Sequence, residues 1–131
     1  MSYSKNSKPR KKKRGESKTD LYEEIQRLMA ELTASIRKLR DNGAKLADAE
    51  RDYKITLRQE ALRLRAGDMP VTLINNIIYG VPEVAEKRFK RDVEQANYDA
   101  NKEHINVTKL KLRILEAQLS REWGNAGKGD I

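Results

Sequence analysis

The stretch whose reading decides the fold is residues 21–53, LYEEIQRLMAELTASIRKLRDNGAKLADAERDY. Within it Ile25, Leu32, Leu39, Leu46 and Tyr53 recur every seven residues, flanked by Leu21, Leu28 and Ile36 and prolonged by Leu57 and Leu64. A seven-residue apolar period marks a helix that lays one narrow stripe along another helix. A half-buried strand would alternate every second residue instead. The charged residues between these positions suit a solvated helix surface.

One interruption lies inside this pattern. Asp41-Asn42-Gly43 is a turn signal, so the segment is either one helix with a weak spot or kink at Gly43 or a helix broken there. The unbroken step from Leu39 to Leu46 favours one helix, because a turn would normally reset the phase. Thr19 or Asp20 can cap its start, with Glu23 and Glu24 suiting the positive end of the helix. Arg63 and Arg65 in the last turn, Gly67 as a left-handed cap and Pro70 beyond it mark the stop. The first long helix is therefore predicted over about 20–65.

Outward from there, Val71 to Tyr79 is a short apolar run. Its β-branched residues allow a strand, but such a strand would have no sheet to join. Pro70 at the first helical position and Gly80 just past the end favour a short helix over about 70–79. Pro82, followed by Glu83 and Glu86, opens a second long helix running to about residue 123. Gly124, Gly127 and Gly129 then lead into a flexible C-terminus, 125–131. The expected fold is all-α: two long helices form an antiparallel hairpin over 19–124, with the short connecting helix at its tip. A disordered basic tail, 1–18, precedes it, since that segment has too little apolar surface to offset its ordering entropy.

The second long helix carries two apolar stripes at 100° steps. Ala85, Phe89, Val93, Ala96, Ala100, Val107, Leu110, Ile114 and Ala117 form one, expected to pack on the first helix. Tyr98, Ile105, Leu112, Leu115, Leu119 and Trp123 form another, roughly opposite. A second stripe implies further burial, either in a homo-oligomer (dimer or higher) or under a kinked first helix; the first reading makes these six residues a partner interface. At the tip, Leu73, Ile74, Ile77, Ile78 and Tyr79 either plug the end of the helices or form a docking knob.

Composition agrees with this class. The 131 residues are 37% charged and 37% hydrophobic, with one Phe and one Trp, a balance unlike that of a compact β-rich domain. Absence of cysteine excludes disulfides and thiolate metal sites. No apolar run approaches membrane-spanning length, and the N-terminus lacks the apolar core of a secretory signal. A cytoplasmic protein without a membrane partner is expected.

The net charge of +8 is unevenly placed. Residues 1–20 hold eight Lys and Arg against Glu16 and Asp20, a net of +6, while the remaining twenty basic and eighteen acidic residues leave +2. Clustered cations bind phosphate polyanions by counterion release, without sequence preference. Lys8, Arg10, Lys11, Lys12, Lys13 and Arg14 are accordingly the candidate contacts to DNA or RNA. A merely solvated tail and docking on an acidic protein surface are the alternatives. No aromatic residue lies inside the run to stack on bases.

Nothing points to catalysis. His104 stands alone, and its neighbour Glu103 projects about 100° away on a helix, so they form no dyad. No metal-site spacing occurs, and Gly80-Val81-Pro82 lacks the residues of a phosphate loop. Glu23 and Glu24 are explained by the helix dipole. Neither an enzyme nor a cofactor is expected. A helix-turn-helix reading of 71–91, decorated by Lys87, Arg88, Lys90 and Arg91, is weakened by Glu83, Glu86 and Asp92 and by the roughly forty further residues of helix.

The segments Met69-Pro70-Val71-Thr72-Leu73-Ile74, Gly80-Val81-Pro82-Glu83-Val84-Ala85, Phe89-Lys90-Arg91-Asp92, His104-Ile105-Asn106-Val107 and Arg121-Glu122-Trp123-Gly124 together resemble small helical proteins encoded by phages and prophages of Gram-positive bacteria. The resemblance covers about residues 20–124, with the basic tail outside it, and carries no functional residues across. It implies a phage accessory protein in a bacterial cytoplasm. The expected function is non-enzymatic: the helices bind a phage or host protein and the tail binds nucleic acid non-specifically. A counter-defence inhibitor of a host nuclease such as a CRISPR effector, and an oligomeric scaffolding protein, are the alternatives.

Overall fold

A computed structural model describes residues 14–128, with side chains from Asp20 to Gly124. The described residues are helical throughout their regular structure. Helix α1 spans Arg14–Ala66, α2 spans Val71–Ile77 and continues into a single 3-10 turn at Ile78–Gly80, and α3 spans Pro82–Lys128.

Helix α1 begins six residues before Asp20. Once a helix exists, each added residue gains one backbone hydrogen bond, and Arg14, Glu16, Ser17 and Lys18 are compatible with that extension. The tail expected to be disordered over 1–18 overlaps this helix at residues 14–18, and residues 1–13 lie outside the described residues. Helix α3 likewise passes Gly124 and Gly127 and ends at Lys128 rather than near residue 123.

Helix α1 is unbroken at Asp41-Asn42-Gly43. The turn signal loses for a local reason. The Asn42 side chain, which could have bonded its own backbone in a turn, instead donates across to the Asn97 carbonyl at 3.1 Å. At Gly43 an added Cβ would lie 3.5 Å from Cε2 of Tyr98, an ordinary contact, so the ring packs against α1 without requiring glycine there.

The C-terminus of α1 corrects the glycine assignment. Gly67 has no positive φ; Asp68 does, at 62°. The Met69 N–H donates to the Leu64 carbonyl (3.3 Å) and the Asp68 N–H to the Arg65 carbonyl (3.1 Å). These two bonds define a Schellman cap with Asp68 in the left-handed position. Aspartate tolerates this conformation better than most residues because its side chain is short and polar. Met69 and Leu64 then pack on the same core, the apolar contact usual for this cap.

The chain divides into two compact units, each built from parts of α1 and α3. In the larger, Thr33–Val107, Asn42 bonds to Asn97 and Asn101 bonds to Ser35. Lower numbers on α1 pair with higher numbers on α3, so the two stretches run antiparallel. Where they turn, Tyr53, Ile74, Ile78 and the fully buried Val84 form the core, with Leu57, Ala61, Leu64, Met69 and Val81 packed around it. Pro70 caps α2 in an extended conformation rather than occupying its first turn. The smaller unit, to Leu32 and from Thr108, is a helix pair cored by Ile25, Leu28 and Leu112, with Leu32, Leu115 and Leu119 beside them.

Burial along each helix follows a 3-4 spacing. On α1 it takes Leu21, Ile25, Leu28, Leu32, Ser35, Leu39, Asn42, Leu46, Ala49 and Tyr53. On α3 it takes Val84, Lys87, Arg91, Glu94, Tyr98, Asn101, Ile105, Thr108, Leu112, Leu115, Leu119 and Glu122. Long side chains at such positions bury their stems while their heads reach water; Arg91 lays its guanidinium 4.7 Å from the Tyr53 ring centre. Ile36, expected beside the α1 stripe, is exposed.

Candidate interaction surfaces

The burial pattern reverses the roles of the two stripes on α3. Ile105 and Leu112 are buried within the chain, and Tyr98, Leu115 and Leu119 are half-buried. Leu112 packs on Ile25 and Leu28 of its own α1. These five are core rather than a free interface, a correction to the sequence reading; Trp123 alone of that set stays exposed.

The stripe expected to face α1 turns outward instead. Phe89 is 70% exposed, and Val93 and Val107 join it on the outer surface of the larger unit. In the smaller unit Leu110 and Ile114 are 54% and 56% exposed. Helical periodicity alone could not choose between two stripes of the same spacing. The structure chooses the one holding Asn101 and Thr108, whose polar side chains had disguised it.

The polar layer is the feature that sequence reasoning missed. Ser35, Asn42, Asn101 and Thr108 are all buried. Buried amides cost free energy unless they bond, and each asparagine donates to a main-chain carbonyl on the opposite helix. The available signal was the continuation of the 3-4 spacing through these polar positions. Small and polar side chains leave a groove there of about 590 Å3, bordered by Lys38, Lys45, Asn97 and His104 with Asn42 and Asn101 below.

The turn between the long helices divides the five tip candidates. Ile74 and Ile78 plug the core, whereas Leu73, Ile77 and Tyr79 face outward with Val71. Arg88 lies 5.0 Å from the Tyr79 ring centre, in cation–π range. In the smaller unit Arg27 donates to Glu24 (3.0 Å) and Glu31 (3.3 Å). The Glu24 hydrogen bond and then the Glu24 charge raise the Arg27 pKa above its usual value; desolvation opposes them, and the Glu31 charge adds least. Exposed pairs of this kind add little stability.

His104 and Glu103 are both exposed on α3, and among the described residues no group of three His, Asp or Glu could hold a metal ion. No described helix is long and apolar enough to cross a membrane. Arg14 opens α1, while Lys8, Arg10, Lys11, Lys12 and Lys13 lie outside the described residues. The class defined by this geometry is an all-helical protein with a polar-centred seam and outward apolar surfaces. No family model, curated protein or solved structure matches the chain.

Proposed function

We propose that this chain is a non-enzymatic binding protein, an antiparallel helical hairpin of the kind phages encode as accessory proteins, acting in a bacterial cytoplasm. Its helices bind a protein partner and its N-terminal basic run holds nucleic acid without sequence preference. The observation that carries this reading is the outward face of α3 within each unit, where Phe89, Val93 and Val107 in the larger and Leu110 and Ile114 in the smaller remain exposed although α3 there already buries its opposite face. Apolar side chains gathered on a surface mark an interaction site more often than scattered ones do. The basic run supplies attraction and local concentration, and the helices supply selectivity.

The test replaces Arg10, Lys11, Lys12 and Lys13 with Gln in the full-length chain and measures oligonucleotide binding against salt. Each phosphate contact contributes about 0.7–0.9 to the slope of log affinity on log salt. The variant should therefore bind more weakly, with a slope shallower by about three. Unchanged affinity and slope would remove nucleic acid from the proposal. Binding of a protein partner, read by pull-down with nuclease present, should be lost in Phe89→Glu and Ile114→Glu variants; retention in both would remove the apolar face.

A further inference from the structure

The groove over the polar layer differs in its floor from two other grooves among the described residues. Its rim carries Lys38 and Lys45 on α1 against Glu94 on α3, with His104 beside them. A neighbouring groove of the same unit mixes Lys45, Arg51 and Lys90 with Asp48, Asp52 and Glu94 and is balanced. The groove of the smaller unit sets Arg27 and Lys111 against Glu24 over the apolar Leu28 and Leu115, with Ile114 at its edge. Only the first of these three combines a polar floor with cations on its rim.

The floor has hydrogen-bonding capacity to spare. Asn42 and Asn101 each use one amide N–H to reach a carbonyl across the seam. An asparagine side chain carries two N–H donors and an acceptor oxygen, so each retains capacity toward a bound group. Lys38 and Lys45 are exposed and seven residues apart on one helix, which separates their attachment points by about 10 Å. The flexible lysine stems let the two ammonium groups reach neighbouring phosphates of one strand.

We infer that this groove is a second phosphate-backbone contact, in which Lys38 and Lys45 pair with phosphates of a nucleic-acid strand and the Asn97 and His104 edge lies along its sugar–phosphate chain. The inference deepens the nucleic-acid part of the reading above and rests on it. It turns a loose electrostatic tether into a two-point hold: the basic run captures the strand, and the groove fixes it along the larger unit. No base-specific contact is implied, since phosphate contacts position a strand without reading its sequence.

The experiment compares full-length variants binding a labelled 12-nucleotide oligothymidylate across a salt series. Lys38→Gln with Lys45→Gln should weaken binding and flatten the salt slope by about one per lysine. Lys102→Gln, an exposed cation away from this groove, should leave the slope unchanged. Inorganic phosphate should compete far less well than unlabelled oligonucleotide. Equal losses from Lys102→Gln and from the Lys38 and Lys45 changes would mean generic charge attraction, and no loss from the double variant would mean no contact; either result overturns the inference. If the Arg10–Lys13 variant loses binding while the groove variant keeps it, the tail reading stands and the groove assignment fails. Circular dichroism of each variant confirms that the helices persist.

Discussion

The Asn101 side chain donates to the main-chain carbonyl of Ser35 at 2.9 Å, across the seam between α3 and α1 and in a buried setting. This bond, with its counterpart from Asn42 to Asn97, sets which residues of the two helices stand opposite each other. A heptad slide of the seam, already opposed by the packed turn at Tyr53, Ile74, Ile78 and Val84, would break both bonds. An asparagine that must find a carbonyl discourages that slide, as single polar core residues do in coiled coils.

Replacing Asn101 with Ala removes the donor from this buried layer. Stability measured by urea unfolding should fall by about 1–2 kcal/mol. An unchanged midpoint would mean that the bond contributes nothing to the fold.

The cap of α1 gives a paired prediction. Asp68 holds a positive φ that glycine adopts without penalty, so Asp68→Gly should raise stability by about 1 kcal/mol. Gly67→Ala should cost nothing, because an added Cβ meets the Leu64 carbonyl oxygen at an ordinary 3.5 Å. The opposite pattern in thermal denaturation would return the capping role to Gly67.

Gly43 lies inside an unbroken helix, where glycine is poorer than alanine by about 0.5–1 kcal/mol. A Cβ there would touch Tyr98 at van der Waals distance. Gly43→Ala should therefore raise the melting temperature. A clear fall would mean that the helix needs a flexible point there or that the Tyr98 ring cannot yield.

Much of the architecture was legible because apolar period and end signals agree. Ile25, Leu32, Leu39, Leu46 and Tyr53 announced half of the α1 seam, and Pro82 marked the start of α3. The seam was hidden wherever Ser35 and Asn42 on α1 and Asn101 and Thr108 on α3 hold core positions, since polar residues read as surface. The face of α3 was misread for a related reason. Its two stripes share one spacing, and only pairing with α1 distinguishes them. At the tip, a run of apolar residues showed that something is buried but not that Ile74 and Ile78 plug while Leu73 and Ile77 face out. The α1 cap shifted by one residue because a local hydrogen-bond pattern outweighed the preference for glycine.

The most direct test of the two-faced α3 sets Leu112→Glu beside Ile114→Glu, two residues apart on one helix, and measures thermal unfolding by circular dichroism at 222 nm. Leu112 packs on Ile25 and Leu28, so a carboxylate there should cost at least about 3 kcal/mol and lower the melting temperature sharply. Ile114 faces outward, and its variant should melt within about 0.5 kcal/mol of the parent. If Leu112→Glu were tolerated while Ile114→Glu unfolded the protein, the assignment of the two faces would be contradicted.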